Sequence, residues 1–188
     1  MSYKPPTYTI AERAVRQYGA LQDVWEFAHL LDIVRRNEVR AMVEIGSYTG
    51  GSLWAWRQIV PNVYAVTLGE GKDQGPFQFH THGASMIYGD STDPETRERL
   101  KKRIGLAPVD FVFIDGGHEE REATLDMELA LELVKEGLIG LHDINLYLRF
   151  PELLGPRVVW NKYWHKLPNI EITNISTEDP GVGVFFIK

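Results

Sequence analysis

The sequence predicts an α/β domain built on a mostly parallel sheet, and three patterns point to that class. Short apolar runs of strand length alternate with longer amphipathic stretches, the arrangement that covers a parallel sheet with helices on both faces. A glycine-rich turn separates the first of these runs from the helix that follows it. The chain then ends in two strand-like runs, 170–176 and 182–187, joined by Thr177-Glu178-Asp179-Pro180-Gly181 with no helix between them. So short a link permits only antiparallel pairing.

Residues 1–19 read as an N-terminal arm, extended over 1–10 where Pro5 and Pro6 stand, and 20–188 as one domain. From Ala20 to Arg36, Leu21, Val24, Trp25, Ala28, Leu31 and Val34 recur at helical spacing. Buried strands are expected at 40–45, 63–68, 85–88, 111–114 and 138–141. Helices are expected at 52–59, 94–104 and 119–135, and the 188 residues suffice for a single substantial core.

A net charge of −6 argues against a nucleic-acid partner, which needs clustered Lys and Arg. The one basic cluster, Arg97, Arg99, Lys101, Lys102 and Arg103, alternates with acids and reads as a solvated helix face. The absence of cysteine excludes disulfides, thiolate metal sites and a Cys nucleophile. No apolar run has the length of a signal peptide or a membrane span. The expectation is a cytoplasmic protein that acts on a small molecule, with no membrane and no nucleic acid, and with a homo-oligomer left open.

Val43-Glu44-Ile45-Gly46-Ser47-Tyr48-Thr49-Gly50-Gly51-Ser52 follows a strand and opens a helix. Glycine there permits a sharp turn and close approach of a ligand, and the exposed N–H groups favour a polar or anionic group. Tyr48 occupies the place of the second glycine of a dinucleotide fingerprint, which disfavours NAD. The competing reading is a plain βα turn without a ligand.

This segment resembles motif I of class I S-adenosylmethionine-dependent methyltransferases. Further blocks follow in that family's order: Gly89-Asp90-Ser91, Asp115-Gly-Gly-His118, Leu141-His142-Asp143 and Gly181-Val-Gly-Val-Phe185, with Gly19-Ala-Leu-Gln22 ahead of the first strand. Together they are similar to the branch that holds cephalosporin-hydroxylase-like proteins and macrolide-sugar (macrocin-type) O-methyltransferases. The resemblance implies a Rossmann-like three-layer sandwich whose seven-stranded, mostly parallel sheet ends in an antiparallel strand. It implies that Glu44 and Gly46 line the methionine side of the cofactor pocket, with Ser47, Tyr48, Gly50, Gly51 and Ser52 completing the turn. Gly89, Asp90 and Ser91 would contact the adenosine, and Asp115 would also belong to the cofactor-binding set. Where the family has an acid for the ribose hydroxyls, this chain has Thr67, with Glu70 as a substitute from the loop.

Asp115 and Asp143 both directly follow apolar runs, where an open α/β sheet binds its ligands. If their strands are neighbours, the two carboxylates converge on one hard cation such as Mg²⁺ or Ca²⁺. The family's sugar enzymes hold Mg²⁺ with an Asp at the position of Asp115 and an acidic pair where this chain has His142-Asp143. The implied metal ligands are therefore Asp115, His142 and Asp143, with the imidazole favouring softer divalent ions. The competing reading makes these residues helix and loop caps. His118 stands three residues after Asp115 and is either the general base or a support for the Asp115 turn.

These readings lead to an S-adenosylmethionine-dependent, divalent-metal-assisted O-methyltransferase acting on neighbouring hydroxyls of a small molecule. The alternative keeps the fold and the cofactor but not methyl transfer: a hydroxylase-like tailoring enzyme or a partner subunit.

Overall fold

The computed structural model describes residues 4–69, 79–174 and 180–188. Its elements in chain order are α1 (Tyr8–Tyr18), α2 (Val24–Arg36), β1 (Ala41–Ile45), α3 (Gly51–Ile59), β2 (Asn62–Thr67), β3 (Ser85–Tyr88) and α4 (Pro94–Ile104). They continue with β4 (Phe111–Ile114), α5 (Glu120–Leu133), β5 (Gly137–His142), α6 (Gly155–Trp164), β6 (Asn169–Ile172) and β7 (Val182–Ile187). A 3-10 turn at Leu146–Leu148 precedes α6.

The seven strands form one sheet of order β3-β2-β1-β4-β5-β7-β6. The first five run parallel, and β7 is antiparallel to both β5 and β6. The sheet is therefore the one expected, with the last strand reversed.

Strands buried on both faces serve two cores by alternation. Met42, Phe111 and Phe113 join the core under α1, α2 and α3, where Phe27, Leu30, Leu53 and Trp56 pack. Val43, Ile45, Val112 and Ile114 join the core under α4, α5 and α6, with Leu100, Met127, Val159 and Trp160. Local chemistry starts two of the helices: Asp23 caps α2 by accepting from the N–H groups of Trp25 and Glu26 at 2.8 and 2.9 Å. Asp93 accepts from Thr96 N–H at 3.1 Å, with Pro94 at the first helical position of α4.

The N-terminus differs from expectation. Residues 8–18 are a helix, not part of an arm: Ala11 and Ala14 are fully buried, and α1 packs against α2 and α3. Gly19, at φ 73, ends it by turning the chain back toward α2. The penultimate strand stops at Ile172 rather than running to 176, and 175–179 lie outside the described residues. Among the described residues no helix is long and apolar enough to cross a membrane.

Candidate active site

The parallel strands deliver their C-terminal ends to one edge of the sheet, and the chain order reverses between β1 and β4. Such a switch point opens a crevice. A cavity of about 800 Å³ lies there.

The glycine turn after β1 forms its floor. Gly46 has φ 92, and a Cβ on it would strike the Asp115 backbone, so this turn and the one after β4 are stacked in contact. Ser47, Tyr48, Gly51 and Ser52 line the cavity together with Gly46, the last two as the opening residues of α3. Gly50 does not line it. At φ 86, its bare Cα lets the His80 carbonyl pass close by, and the His80 N–H donates to the Thr49 carbonyl at 3.0 Å.

Glu44 lies beneath the turn, fully buried and away from the cavity lining. Ser47 Oγ donates to its Oε2 at 2.5 Å and Trp56 Nε1–H to its Oε1 at 3.0 Å. Burial pushes its carboxyl up to about 7, against the pull of hydrogen bonds from Ser47, Ser52 and Trp56. Thr67 lines the cavity, but its hydroxyl donates to the Ser47 carbonyl at 3.0 Å and so braces the turn. Glu70 lies outside the described residues. Gly89, Asp90 and Ser91 line the cavity at the end of β3.

The ends of β4 and β5 bring the remaining candidates together. His142 Nδ1 lies 2.9 Å from Asp115 Oδ1 and 3.1 Å from Asp143 Oδ2. His118 Nε2 is 2.6 Å from Asp143 Oδ2, and Gln22 Nε2–H donates to Asp115 Oδ2 at 2.6 Å. Asp143 adopts φ 62, a left-handed conformation that Asp tolerates better than most residues. That bend is anchored from outside: Ile144 N–H donates to the Gly181 carbonyl at 3.3 Å and Asn145 N–H to the Pro180 carbonyl at 2.7 Å. The Gly181 N–H donates in turn to Glu26, a fully buried carboxylate on α2 that also accepts from Asn174 N–H, both at 3.1 Å.

The electrostatics of the cluster are mutual. Burial raises Asp115 toward the neutral form, and the His142 charge opposes it. For His142, burial favours the neutral ring, yet the two carboxylates outweigh it and hold the imidazole well above its ordinary value. Burial likewise opposes the charge on Asp143, but His142 and the hydrogen bond from His118 overcome it, so this carboxyl is depressed. The hydrogen bond to Asp143 raises His118.

The donor atoms of Asp115, His142 and Asp143 all lie within 4.8 Å of one another. The two shorter separations, 2.9 and 3.1 Å, match the roughly 3 Å between adjacent ligands of an octahedral ion bound at about 2.1 Å. The residues therefore fit a small divalent cation; without one, the same distances describe a buried imidazolium between two carboxylates.

Gln22, which sequence reasoning met only as the end of a motif block, and Glu26, which it did not name, both carry this site. Their signal was position: both fall on the apolar, inward side of the segment that leads into and through α2. Glu122, also unpredicted, lines the cavity from the first turn of α5. Asp126, one turn further on, is fully buried below Gly116, and burial pushes it up to about 6.

Residues 43–144 match a family model described as a methyltransferase domain. No curated protein matches the sequence. Among solved structures, the O-methyltransferase TomG from Streptomyces achromogenes, involved in tomaymycin synthesis and solved with SAM, aligns over 100% of this chain and 92% of its own, with 18% identity and a TM-score of 0.65. An O-methyltransferase from Bacillus cereus solved with SAH aligns over 100% and 93%, with 15% identity and a TM-score of 0.65. MycE, a methyltransferase of mycinamycin biosynthesis solved with Mg, SAH and mycinamycin VI, aligns over 98% of this chain but only 55% of its own, with 19% identity and a TM-score of 0.62.

Proposed function

The chain belongs to the methyltransferase-domain family whose model spans residues 43–144, and from that premise we propose that it methylates an oxygen of a small molecule bearing neighbouring hydroxyls, with S-adenosylmethionine as donor. The observation that carries this reading is the opening of the glycine turn and the His118–Asp143 pair onto one cavity. A cofactor at the turn and an acceptor at the pair would be neighbours. TomG, the Bacillus cereus enzyme and MycE, each solved with SAM or SAH, support the choice of donor.

S-adenosylmethionine supplies a methyl group already activated on a sulfonium. The turn after β1 offers its backbone and the start of α3 to the polar methionine end. Asp90 and Ser91 line the same cavity just after β3. His118 is 32% exposed at its side chain and lines the cavity. With its Nε2–H donated to Asp143, its Nδ1 lone pair is the base that accepts the hydroxyl proton as the oxygen gains its methyl group. Asp143 fixes the ring and stabilises the imidazolium that results. Asp115, His142 and Asp143 would hold a divalent cation, which would bind neighbouring oxygens and lower the acceptor's pKa. MycE, solved with Mg, supports that choice.

Calorimetric titration with S-adenosylhomocysteine, with and without Mg²⁺ or Mn²⁺, tests the reading. Saturable binding of the nucleoside, and of the metal in its presence, is the expected result. Absence of nucleoside binding under every condition overturns it.

A further inference from the structure

The lining of the cavity is specific about charge. Four carboxylates face it, Asp90, Asp115, Glu122 and Asp143, and among its described lining residues there is no Lys or Arg. Arg121, in the first turn of α5, acts on Asp90 electrostatically without lining the cavity, and other nearby guanidinium groups are engaged elsewhere. Arg97 donates to the carbonyls of Ser91 and Leu125 at 2.6 and 2.9 Å, and Arg99 donates to that of Tyr88 at 2.8 Å. Arg157 donates to Asn145 and lies 3.8 Å from Glu171, while Arg149 sits over the Phe150 ring at 5.4 Å, outside the lining.

Large aliphatic side chains also stand open at the mouth. Leu21 and Leu68 both line the cavity while 70% and 83% exposed, and Leu146 lines it beside Asp143. Large aliphatic side chains left open to water at a cavity mouth gain free energy when an apolar body covers them.

From these two features, and resting on the methyl-transfer reading above, we propose that the acceptor is an uncharged or cationic diol with an apolar body, and that the site rejects anionic acceptors. Glu122 lies outside the candidate ligand set and outside the expected cofactor set, so its charge stays in the cavity whichever cation Asp115 and Asp143 hold. A carboxylate, phosphate ester or coenzyme A thioester would lose hydration there, meet like charge and find no guanidinium fork in return. An ammonium group on the acceptor meets the opposite sign.

The test varies the body that carries the neighbouring hydroxyls. With saturating S-adenosylhomocysteine and Mg²⁺, affinities are measured by calorimetry for 4-tert-butylcatechol, dopamine and octyl glucoside, and for 3,4-dihydroxybenzoate and caffeoyl-coenzyme A. At least one neutral or cationic diol should bind ten-fold or more tightly than either anionic one. In Leu21→Arg, the preference for 4-tert-butylcatechol over dihydroxybenzoate should shrink at least ten-fold. Equal or tighter binding of the anionic compounds overturns the proposal, as does an unchanged preference in Leu21→Arg. Binding of the nucleoside but of no diol also overturns it, while leaving methyl transfer standing. Failure of the nucleoside itself to bind removes the underlying reading and the proposal with it.

Discussion

Two strand ends of the same sheet each bury a carboxylate, one at the end of β1 and one just after β5, and their titrations are shifted in opposite directions. Glu44 is met by a hydroxyl, an indole N–H and a further serine, all neutral, so burial wins and the group rises to about 7. Asp143 is met by two imidazoles, at 2.6 and 3.1 Å, and their charge wins, so it stays ionised. The contrast separates scaffold from chemistry. A buried acid among neutral donors shapes the backbone above it, whereas one among cations keeps a charge available to a ligand.

The sharpest way to break this contrast is to remove the charge at Asp143 and leave its shape. Asparagine tolerates the left-handed φ of 62, so Asp143→Asn should keep the fold. We expect kcat/KM to fall by about 10³-fold, within the usual range for disabling a general-base system. Divalent-cation affinity should fall with it, and S-adenosylhomocysteine affinity should change by less than about three-fold. Retention of most of the activity would show that Asp143 is no more chemical than Glu44.

Substituting at the other strand end should act on stability instead. Glu44 has its folded value raised from 4.5 to about 7. A raised acid stabilises the fold fully below its unfolded value, and that stabilisation is lost as pH rises through the folded one. Unfolding free energy should therefore decline between about pH 4.5 and 7, by up to about 3 kcal/mol from this residue at roughly 1.4 kcal/mol per unit. Glu26 and Asp126, raised to about 7 and about 6, add to the same decline. Glu44→Gln should remove its own share, giving a flatter profile in urea melts followed across that range. An unaltered profile would mean that Glu44 is ionised in the fold.

The contrast between the two acids was only half legible in the sequence. Asp115 and Asp143 announced themselves because polar residues directly after fully apolar strands have few structural reasons to be there, His118 followed from its spacing to Asp115 and His142 from the family resemblance, and the structure does bring the four together. Glu44 was read as a cofactor residue because it sits inside the glycine motif. Period-two alternation places it on the face of β1 shared with Met42, toward Trp56 and beneath the turn rather than in the cavity lining. The helix at 8–18 was hidden by Pro5 and Pro6, although Ala11, Ala14, Val15 and Tyr18 have helical spacing. Glu26 was invisible for a different reason: its partners, the N–H groups of Asn174 and Gly181, are nearly 150 residues away or more, and only the closed sheet brings them close.

The smallest effect is the most discriminating for the scaffold half of the contrast. Ser47 donates to Glu44 from inside the turn, and this hydrogen bond favours the ionised carboxylate. Ser47→Ala removes it, so the Glu44 value should climb further and the decline in stability should extend to higher pH. A hydrogen bond to a charged acceptor contributes about 1.5–3 kcal/mol and one between neutral groups about 1 kcal/mol. The variant should therefore lose about 1 kcal/mol near pH 5 and more near pH 8, with the excess following the titration of Glu44. In Glu44→Gln the same substitution should cost about 1 kcal/mol at both pH values, because no charge is left for the hydroxyl to solvate. A double-mutant cycle measured at the two pH values reads this coupling directly. A pH-independent coupling would mean that the acid beneath the glycine turn does not change its charge, and the distinction between the two strand ends would then rest on Asp143 alone.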